Sequence, residues 1–325
     1  GGVRMNRKRG RPDGHTLAVR GGERLMWLVK MVFIVGFCFT ILYPLAVMLS
    51  RAFMSRADIF DNAVILVPRE LTLDNIRYAA QMMNYGPTLW NTLWYALSTT
   101  VMQTLSTMMV GYGFARFRFR GSRVLFGLVV FPIILPPQLI MVPLYMHFRF
   151  FDIFGIAGLL TGTSGLNLLD SFTPFYLLSL GCVGIKNGIF IYMFRQFFKN
   201  VPKETEEAAL VDGAGAFRIF FRIMIPSAIT MLVTVALFSF VWQYNDVTYT
   251  NLFLKNNRVL SMTYSSLGNF LWDNMSSAAA YLKTDEYIAV IKSTGVLLMI
   301  LPLLLIYLVM QRFFVDGIER SGIVG

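Results

Sequence analysis

Apolar residues occur along the chain in six blocks of about 20 residues or more, separated by polar segments. A block of that length can cross the roughly 30 Å hydrocarbon core of a bilayer as an α-helix. Lipid offers no hydrogen-bond partner to an open strand edge, so helices are the natural choice. We therefore predict an all-α integral membrane protein with six transmembrane helices. The predicted spans are residues 26–49, 88–115, 124–145, 171–194, 223–242 and 287–314.

Two of these blocks contain residues that interrupt helices. The interrupting residues of the third and fourth spans are Pro132, Pro136, Pro137, Pro143, Gly181, Gly184, Lys186, Asn187 and Gly188. They could mark helices that are broken at a transport path. They could equally kink helices that only pack, because neighbouring helices satisfy the freed backbone groups. The sequence favours the second interpretation and leaves the first open.

The composition changes how the basic charge is interpreted. The chain is 56% hydrophobic and only 14% charged, with a net charge of +11. Eighteen of the 29 Lys and Arg residues fall in the N-terminal tail, in residues 116–123 and 195–222, and at the C-terminal end. The positive-inside rule places those segments in the cytoplasm. We therefore attribute the charge to membrane topology and expect no nucleic-acid partner.

This topology defines the organisation of the chain. Residues 1–25 form a basic cytoplasmic tail, whose first four residues resemble a cloning remnant ahead of Met5. Residues 26–314 form the transmembrane domain, and residues 315–325 form a second cytoplasmic tail. The predicted external segments are residues 51–87, 146–170 and 243–286.

Familiar catalytic patterns are absent from the sequence. It contains no G-x-x-x-x-G-K-[ST] phosphate-binding loop, so the chain alone is not expected to hydrolyse ATP. Its two histidines, His15 and His147, are far apart, and no acidic pair lies inside a predicted span. Cys38 and Cys182 fall in predicted spans and suggest packing rather than a disulfide framework. We expect no catalytic residue, metal site or cofactor in this chain.

The segment 199–226 combines acids, small residues, two glycines and an aromatic run that leads to a proline. Asn200 and Pro202 are typical of a helix start, and Gly213 is typical of a helix end. A second helix is predicted from about residue 216, with Pro226 bending the start of the fifth span. The segment could be an ordinary amphipathic connector, but its spacing is specific.

That spacing resembles the EAA motif of ABC-importer permeases, E-A-A-x3-G-x9-I-x-L-P. The matching residues are Glu207, Ala208, Ala209, Gly213, Ile223 and Pro226, with Ile225 in place of the usual Leu. Residues 190–202, 241–246 and 311–317 also resemble maltose-type sugar permeases. Tyr244 interrupts the W-N-D pattern, and Val324 replaces the usual Lys before the last Gly. The resemblance covers most of residues 26–325 and is closest to permeases for alginate and pectin fragments.

The resemblance implies a permease subunit of a binding-protein-dependent ABC importer in a bacterial inner membrane. The EAA loop would dock on a separate ATPase subunit, which would bind ATP and Mg²⁺. The implied partners are a second permease, two ATPase subunits, an external solute-binding protein and an oligosaccharide, with acidic, alginate-like sugars among the candidates. A stand-alone secondary transporter or channel is the alternative, and it leaves the EAA spacing unexplained. A polytopic membrane enzyme lacks a recognisable catalytic constellation.

Several polar residues are candidates for the translocation path. At 100° per residue, one face of the second span carries Thr88, Thr92, Thr99, Gln103 and Ser106. Such a stripe could bind sugar hydroxyls or join helices through small polar side chains. Lys186 and Lys292 could face an acidic substrate, although Lys292 could also extend to the membrane surface. Asn245 could face the path, but capping a helix is the role that its position favours.

Overall fold

The computed structural model describes residues 14–152, 155, 162, 165–184, 186–256, 259–274 and 284–322. Residues 1–13 of the predicted N-terminal tail, parts of the external segments 146–170 and 243–286, and residues 323–325 therefore lie outside the described residues. The chain divides into two compact units, residues 1–75 and 76–325. Within the described residues there are helices and two isolated β-bridges but no strand.

The first unit is built on one long helix, α1 (Gly14–Ala52). A short helix, α2 (Arg56–Ile59), follows it, and Met54 forms an isolated bridge with Leu71. The buried carboxylate of Asp58 accepts hydrogen bonds from the backbone N–H groups of Arg69 and Glu70 at 2.9 and 3.2 Å. These two bonds hold the predicted external segment in a compact turn.

The second unit contains the other helices. They are α3 (Asp74–Met82, which begins in the first unit), α4 (Tyr85–Arg116), α5 (Ser122–Val130), α6 (Pro137–Arg149), α7 (Thr173–Leu180), α8 (Asn187–Asn200), α9 (Glu204–Val211), α10 (Ala216–Ile219), α11 (Ile225–Ser227), α12 (Ile229–Tyr244), α13 (Thr248–Phe253), α14 (Leu260–Asn274) and α15 (Asp285–Gly322). A 3₁₀ turn, Phe131–Ile133, follows α5, and a π-helical turn, Phe220–Met224, separates α10 from α11.

The predicted all-α membrane architecture is confirmed, although the spans differ in form. Among the described residues, two helices are long and apolar enough to cross a bilayer alone, Met26–Ala52 and Asp285–Val309. Two further candidates are bent pairs. Ser122–Ile133 and Pro137–Arg149 meet at 101°, and Ala216–Ser227 and Ile229–Tyr244 meet at 76°. The count of six spans stays a prediction.

The remaining two predicted spans differ for physical reasons. Helix α4 has 32 residues, about 48 Å of helix, but its many hydroxyl and amide side chains lower its hydropathy. The fourth predicted span is divided into α7 and α8, and between them Cys182 and Lys186 adopt positive φ. The third and fourth spans are therefore both broken, although Pro143 lies inside α6 and Gly188 inside α8.

Helix α4 lies at the centre of the second unit and packs against α7, α8 and α12. At Gly111 a β-carbon would come within 2.6 Å of the Phe194 β-carbon, so glycine permits the close approach of α4 and α8. One core cluster covers this contact and includes Tyr112, Phe198 and Phe220.

Helix α15 is held within the second unit by a hydrogen bond to one of its backbone carbonyls, which a proline leaves without its helical partner. Pro302 lies inside α15 and has no N–H to donate to the carbonyl of Leu298, four residues earlier. The Tyr85 hydroxyl donates to that carbonyl at 2.9 Å. At the next residue, the Tyr244 hydroxyl donates to the carbonyl of Met299 at 2.8 Å.

Candidate functional site

The EAA segment folds as a short helix followed by a glycine turn. Helix α9 (Glu204–Val211) ends where Gly213 adopts a left-handed φ of +76°. The N–H of Ala214 donates to the carbonyl of Ala209 at 2.9 Å, and that of Gly213 donates to Leu210 at 3.0 Å. This pair of bonds is the Schellman arrangement, which favours glycine at the left-handed position. The predicted helix end at Gly213 is confirmed.

The predicted helix start is wrong. Asn200 is the last residue of α8, and α9 begins only at Glu204, with Lys203 before it. Helix α8 continues because its apolar face, through Phe194 and Phe198, stays in the core cluster up to its end. Val201 is extended, as expected for a residue that precedes a proline.

The two neighbouring acids of α9 point in different directions. Glu207 and Ala208 are exposed, and Ala209 is partly buried against the core cluster. Glu206 instead forms an ion pair with Arg116, with 2.6 Å between Oε1 and Nε. The helix therefore presents one carboxylate outward and uses the other to hold itself to α4.

The chain then passes into α12 through a bent region. Helix α10 begins at Ala216, as the sequence predicts, and the π-helical turn follows it. Ile223 is partly buried against the core cluster, whereas Pro226 is exposed. The bend that the sequence predicts at Pro226 falls next to Ala228, two residues later.

The polar stripe of α4 lies inside the unit. Gln103 is 1% exposed, and its side-chain amide hydrogen-bonds that of Asn187 on α8. Its Oε1 accepts from the hydroxyl of Ser239 and from Nε2 of Gln243, the latter at 3.3 Å, both on α12. Gln243 in turn accepts from the Tyr95 hydroxyl at 2.8 Å. We call these five residues the Gln103 network; it joins three helices.

The other members of the stripe are also engaged within the chain. Thr92 is buried and accepts a hydrogen bond from the N–H of Leu260 at 2.9 Å. Thr99 is buried and donates to the carbonyl of Tyr95 at 2.6 Å. Ser106 donates to the carbonyl of Ser179 on α7 at 2.6 Å. These contacts are those of helix packing, and a role in the translocation path stays a prediction.

A cavity lies where the two broken spans meet. Its volume is about 340 Å³, and its lining includes the turn Pro132–Pro137, Gly184, Lys186, Asn187 and Tyr249. The Lys186 ammonium is 5.8 Å from the centre of the Trp242 ring, within cation–π range. The cavity brings Lys186 next to the Gln103 network, because Asn187 belongs to both.

The other two candidates lie elsewhere. Lys292 is exposed on α15, and its ammonium runs beside Gly268 of α14 rather than along the cavity lining. Asn245 ends α12, and its side-chain amide donates to the carbonyl of Val241 at 2.9 Å. Asn245 therefore caps a helix, the role that its sequence position favoured, and its place in the path stays a prediction.

Asp246 connects α12 to the predicted external segment. Its carboxylate accepts hydrogen bonds from the N–H groups of Tyr249 and Thr250 at the start of α13. Its backbone carbonyl accepts from the Ser261 hydroxyl at 2.7 Å. Burial raises the pKa of Asp246 from 3.8 to about 6, although the backbone hydrogen bonds act in the opposite direction.

Sequence reasoning missed the partners of the predicted residues. The charge distribution identifies Arg116 only as a topology charge, although it lies at the end of the polar helix that precedes the basic loop. Ser239 and Gln243 are four residues apart and so share one face of α12, a spacing that could have signalled a polar contact within a span. The helix-breaking residues between α7 and α8 were the sequence signal that could have identified Asn187 as part of the site.

The chain matches known proteins over most of its length. A family described as "Binding-protein-dependent transport system inner membrane component" matches residues 107–320. An arabinooligosaccharides transport system permease protein of Halalkalibacterium halodurans is 25% identical, over 93% of this chain and 97% of that protein. An sn-glycerol-3-phosphate transport system permease protein of Yersinia enterocolitica is 28% identical, over 86% of this chain and 92% of that protein.

A probable starch degradation products transport system permease protein of Thermoanaerobacterium thermosulfurigenes is 25% identical, over 86% of this chain and 90% of that protein. A solved structure has a similar fold, with a TM-score of 0.72 and 22% identity. It is a crystal structure of a bacterial ABC transporter involved in the import of the acidic polysaccharide alginate, and the match covers 90% of this chain and 98% of that chain.

Proposed function

Because the chain belongs to the family of binding-protein-dependent transport system inner membrane components, we propose that it is a permease subunit of an oligosaccharide ABC importer. In this role it moves the sugar from an external binding protein across the inner membrane into the cytoplasm. The names of relatives that transport arabinooligosaccharides and starch products support an oligosaccharide. A stand-alone transporter is not favoured by these comparisons.

The observation that carries the proposal is the geometry of α9. Glu207 and the small Ala208 are exposed side by side on a two-turn helix, so a partner surface can approach the backbone closely. Gly213 reverses the chain directly after the helix without a β-carbon. The exposed carboxylate of Glu207 suits a basic residue on an ATPase subunit. We call α9 the coupling helix from here on.

The remaining parts of the importer follow from this assignment. ATP and Mg²⁺ are bound by two ATPase subunits, and this chain is a non-catalytic translocation subunit. A second permease completes the path, and an external binding protein delivers the sugar to segments such as residues 243–286. Both termini lie in the cytoplasm, consistent with the basic segments that share that side.

The cavity at the two helix breaks is the part of the path that this chain contributes. Backbone that leaves the helical pattern at membrane depth is tolerated where it lines a cavity or is covered by protein. Lys186 and Asn187 supply polar groups to this cavity and Tyr249 an aromatic side chain with a hydroxyl, a combination that suits a sugar. Gln103 supports the cavity wall indirectly, because it hydrogen-bonds the lining residue Asn187.

Co-purification from the native membrane tests the proposal. The tagged chain should bring an ATPase and a second permease with it, and the Glu207→Lys, Gly213→Asp double variant should lose the ATPase but keep the second permease. Glu204→Lys is the matched control, because it reverses another exposed acid of the same helix. If the wild-type chain is isolated alone and still transports sugar, the importer assignment is wrong.

A further inference from the structure

The coupling helix is attached to α4 by charges that are almost fully enclosed. Arg116 is the last residue of α4, and Glu206 lies in the first turn of the coupling helix. Their side chains are only 6% and 16% exposed, and 2.6 Å separates Nε from Oε1. Each charge also lies at the helix end whose dipole favours it. Exposed ion pairs contribute little, whereas breaking an enclosed pair leaves an uncompensated charge.

The same arginine holds the chain that leads into the coupling helix. Arg116 Nη2 donates to the carbonyl of Val201 at 2.8 Å. The Tyr112 hydroxyl lies 3.5 Å from the second carboxylate oxygen of Glu206, and the Tyr112 ring contacts Phe198. A two-turn helix is not stable without tertiary contacts. The position of the coupling helix therefore depends on its attachment to the end of α4.

Helix α4 extends without a break from this attachment to the cavity. Gln103 lies 13 residues before Arg116, about 20 Å along the helix. There it contacts Asn187, which lines the cavity beside Lys186. Between these two ends, α4 packs closely against α8 at Gly111.

We propose that Arg116 and Glu206 form a clamp that makes the coupling helix and α4 a single rigid body. When a partner displaces the coupling helix, α4 moves with it and shifts the Gln103 network and the cavity wall. Glu206 and Arg116 are positioning residues, and Glu207 remains exposed to the partner. This inference rests on the proposed function, in which the coupling helix is the docking element.

Distance measurements between two spin labels test the clamp. The labels are placed at Leu97→Cys on α4 and Val211→Cys on the coupling helix, because both positions are exposed and outside the clamp. The native thiols are first removed as Cys38→Ser and Cys182→Ala. With the clamp intact, the distance distribution is narrow and does not shift when the purified complex is trapped with ATP, Mg²⁺ and vanadate. In Arg116→Gln and Glu206→Gln it is broad and shifts on trapping.

Two comparisons separate the clamp from a general loss of structure. The exchanged pair Arg116→Glu, Glu206→Arg should restore a narrow distribution, and Arg118→Gln should leave it unchanged because Arg118 is an exposed arginine of the same region. Glu207→Gln should also leave the width unchanged.

A fluorophore at Ile134→Cys, which is exposed and lines the cavity, gives a functional readout. In Arg116→Gln its ATP-dependent signal should fall about tenfold while ATP hydrolysis continues.

The results that overturn the clamp are specific. Equally narrow, unshifted distributions in wild type, Arg116→Gln and Glu206→Gln would show that other contacts hold the coupling helix. A wild-type distance that changes on trapping would show that α4 and the coupling helix are not one body. If no ATPase accompanies the chain, the proposed function fails, but the width without nucleotide still decides whether the clamp exists.

Discussion

Replacing Gln103 by leucine distinguishes helix packing from substrate contact in the polar stripe of α4. Leucine keeps most of the side-chain volume and removes the amide. The substitution deletes the hydrogen bonds to Asn187, Ser239 and Gln243. Because Gln103 is 1% exposed, water does not replace the lost partners.

The size of the effect follows from those three contacts. Hydrogen bonds between membrane helices contribute about 0.6 kcal/mol each on average and up to about 1.7 kcal/mol. Gln243 keeps the Tyr95 hydroxyl as a partner, and Asn187 keeps a 3.4 Å contact to the carbonyl of Leu178. We therefore expect Gln103→Leu to lower the free energy of unfolding by about 2 kcal/mol. For a protein of this size that corresponds to a fall in Tm of about 3 °C.

Thermal unfolding of the purified chain in detergent, followed by tryptophan fluorescence, measures this change. The control is Gln196→Leu, which makes the same substitution at an exposed position of α8 and should change the unfolding free energy by less than about 0.5 kcal/mol. In combination with Ser239→Ala, the two losses should be less than additive, because the residues share a hydrogen bond. If Gln103→Leu unfolds at the same temperature as the Gln196→Leu control but no longer supports sugar transport, the packing account is refuted.

Three further substitutions test other contacts by the same unfolding measurement. Gly111→Ala places a β-carbon 2.6 Å from that of Phe194 and should cost about 1–3 kcal/mol, whereas Gly113→Ala, with open space beside it, should be neutral or stabilising; equal effects would contradict the close approach. Tyr85→Phe should lower the free energy of unfolding by about 1 kcal/mol, because it removes the hydroxyl that donates to the Leu298 carbonyl in place of the missing Pro302 N–H. An unchanged Tm would argue against that hydrogen bond. Asp246 has a pKa of about 6 in the folded state and 3.8 when unperturbed, so the folded state binds the proton more tightly. Its contribution to the free energy of unfolding is therefore largest below about pH 4 and falls by up to about 3 kcal/mol as the pH rises through 6. Asp246→Asn should remove this fall, and a variant that keeps it would exclude Asp246 as its source.

The local features of the EAA segment could be predicted from sequence because they depend on nearby residues. Gly213 is the residue type that a left-handed helix end favours, and the structure has it at +76°. The start of the coupling helix could not be predicted in the same way. Asn200 and Pro202 are good local signals, but the burial of Phe198 extends α8 through Asn200. Tertiary packing here outweighs the local preference.

Long-range pairing explains the other differences. The periodicity of α4 identifies the direction in which Gln103 points, but not that Asn187, 84 residues later, is its partner. Arg116 and Glu206 are likewise brought together only by the packing of α4 against α8. Their role as a pair could not be inferred from charge counts, which assign Arg116 to the cytoplasmic side and nothing more.

Because of the π-helical turn Phe220–Met224, the number of residues between Gly213 and Pro226 determines how α10 is rotated relative to Pro226. A π turn accommodates one residue more than the α-helix around it, and each residue of an α-helix advances the side chains by about 100°. Because the turn already absorbs one extra residue, a further residue inserted into α10 would rotate the residues before it by roughly that angle about the helix axis, relative to Pro226. The nine residues between Gly213 and Ile223 in this chain therefore set the azimuth at which Glu207 is presented. Single-residue insertions in α10 should be less well tolerated than substitutions at the exposed Phe217 or Phe221.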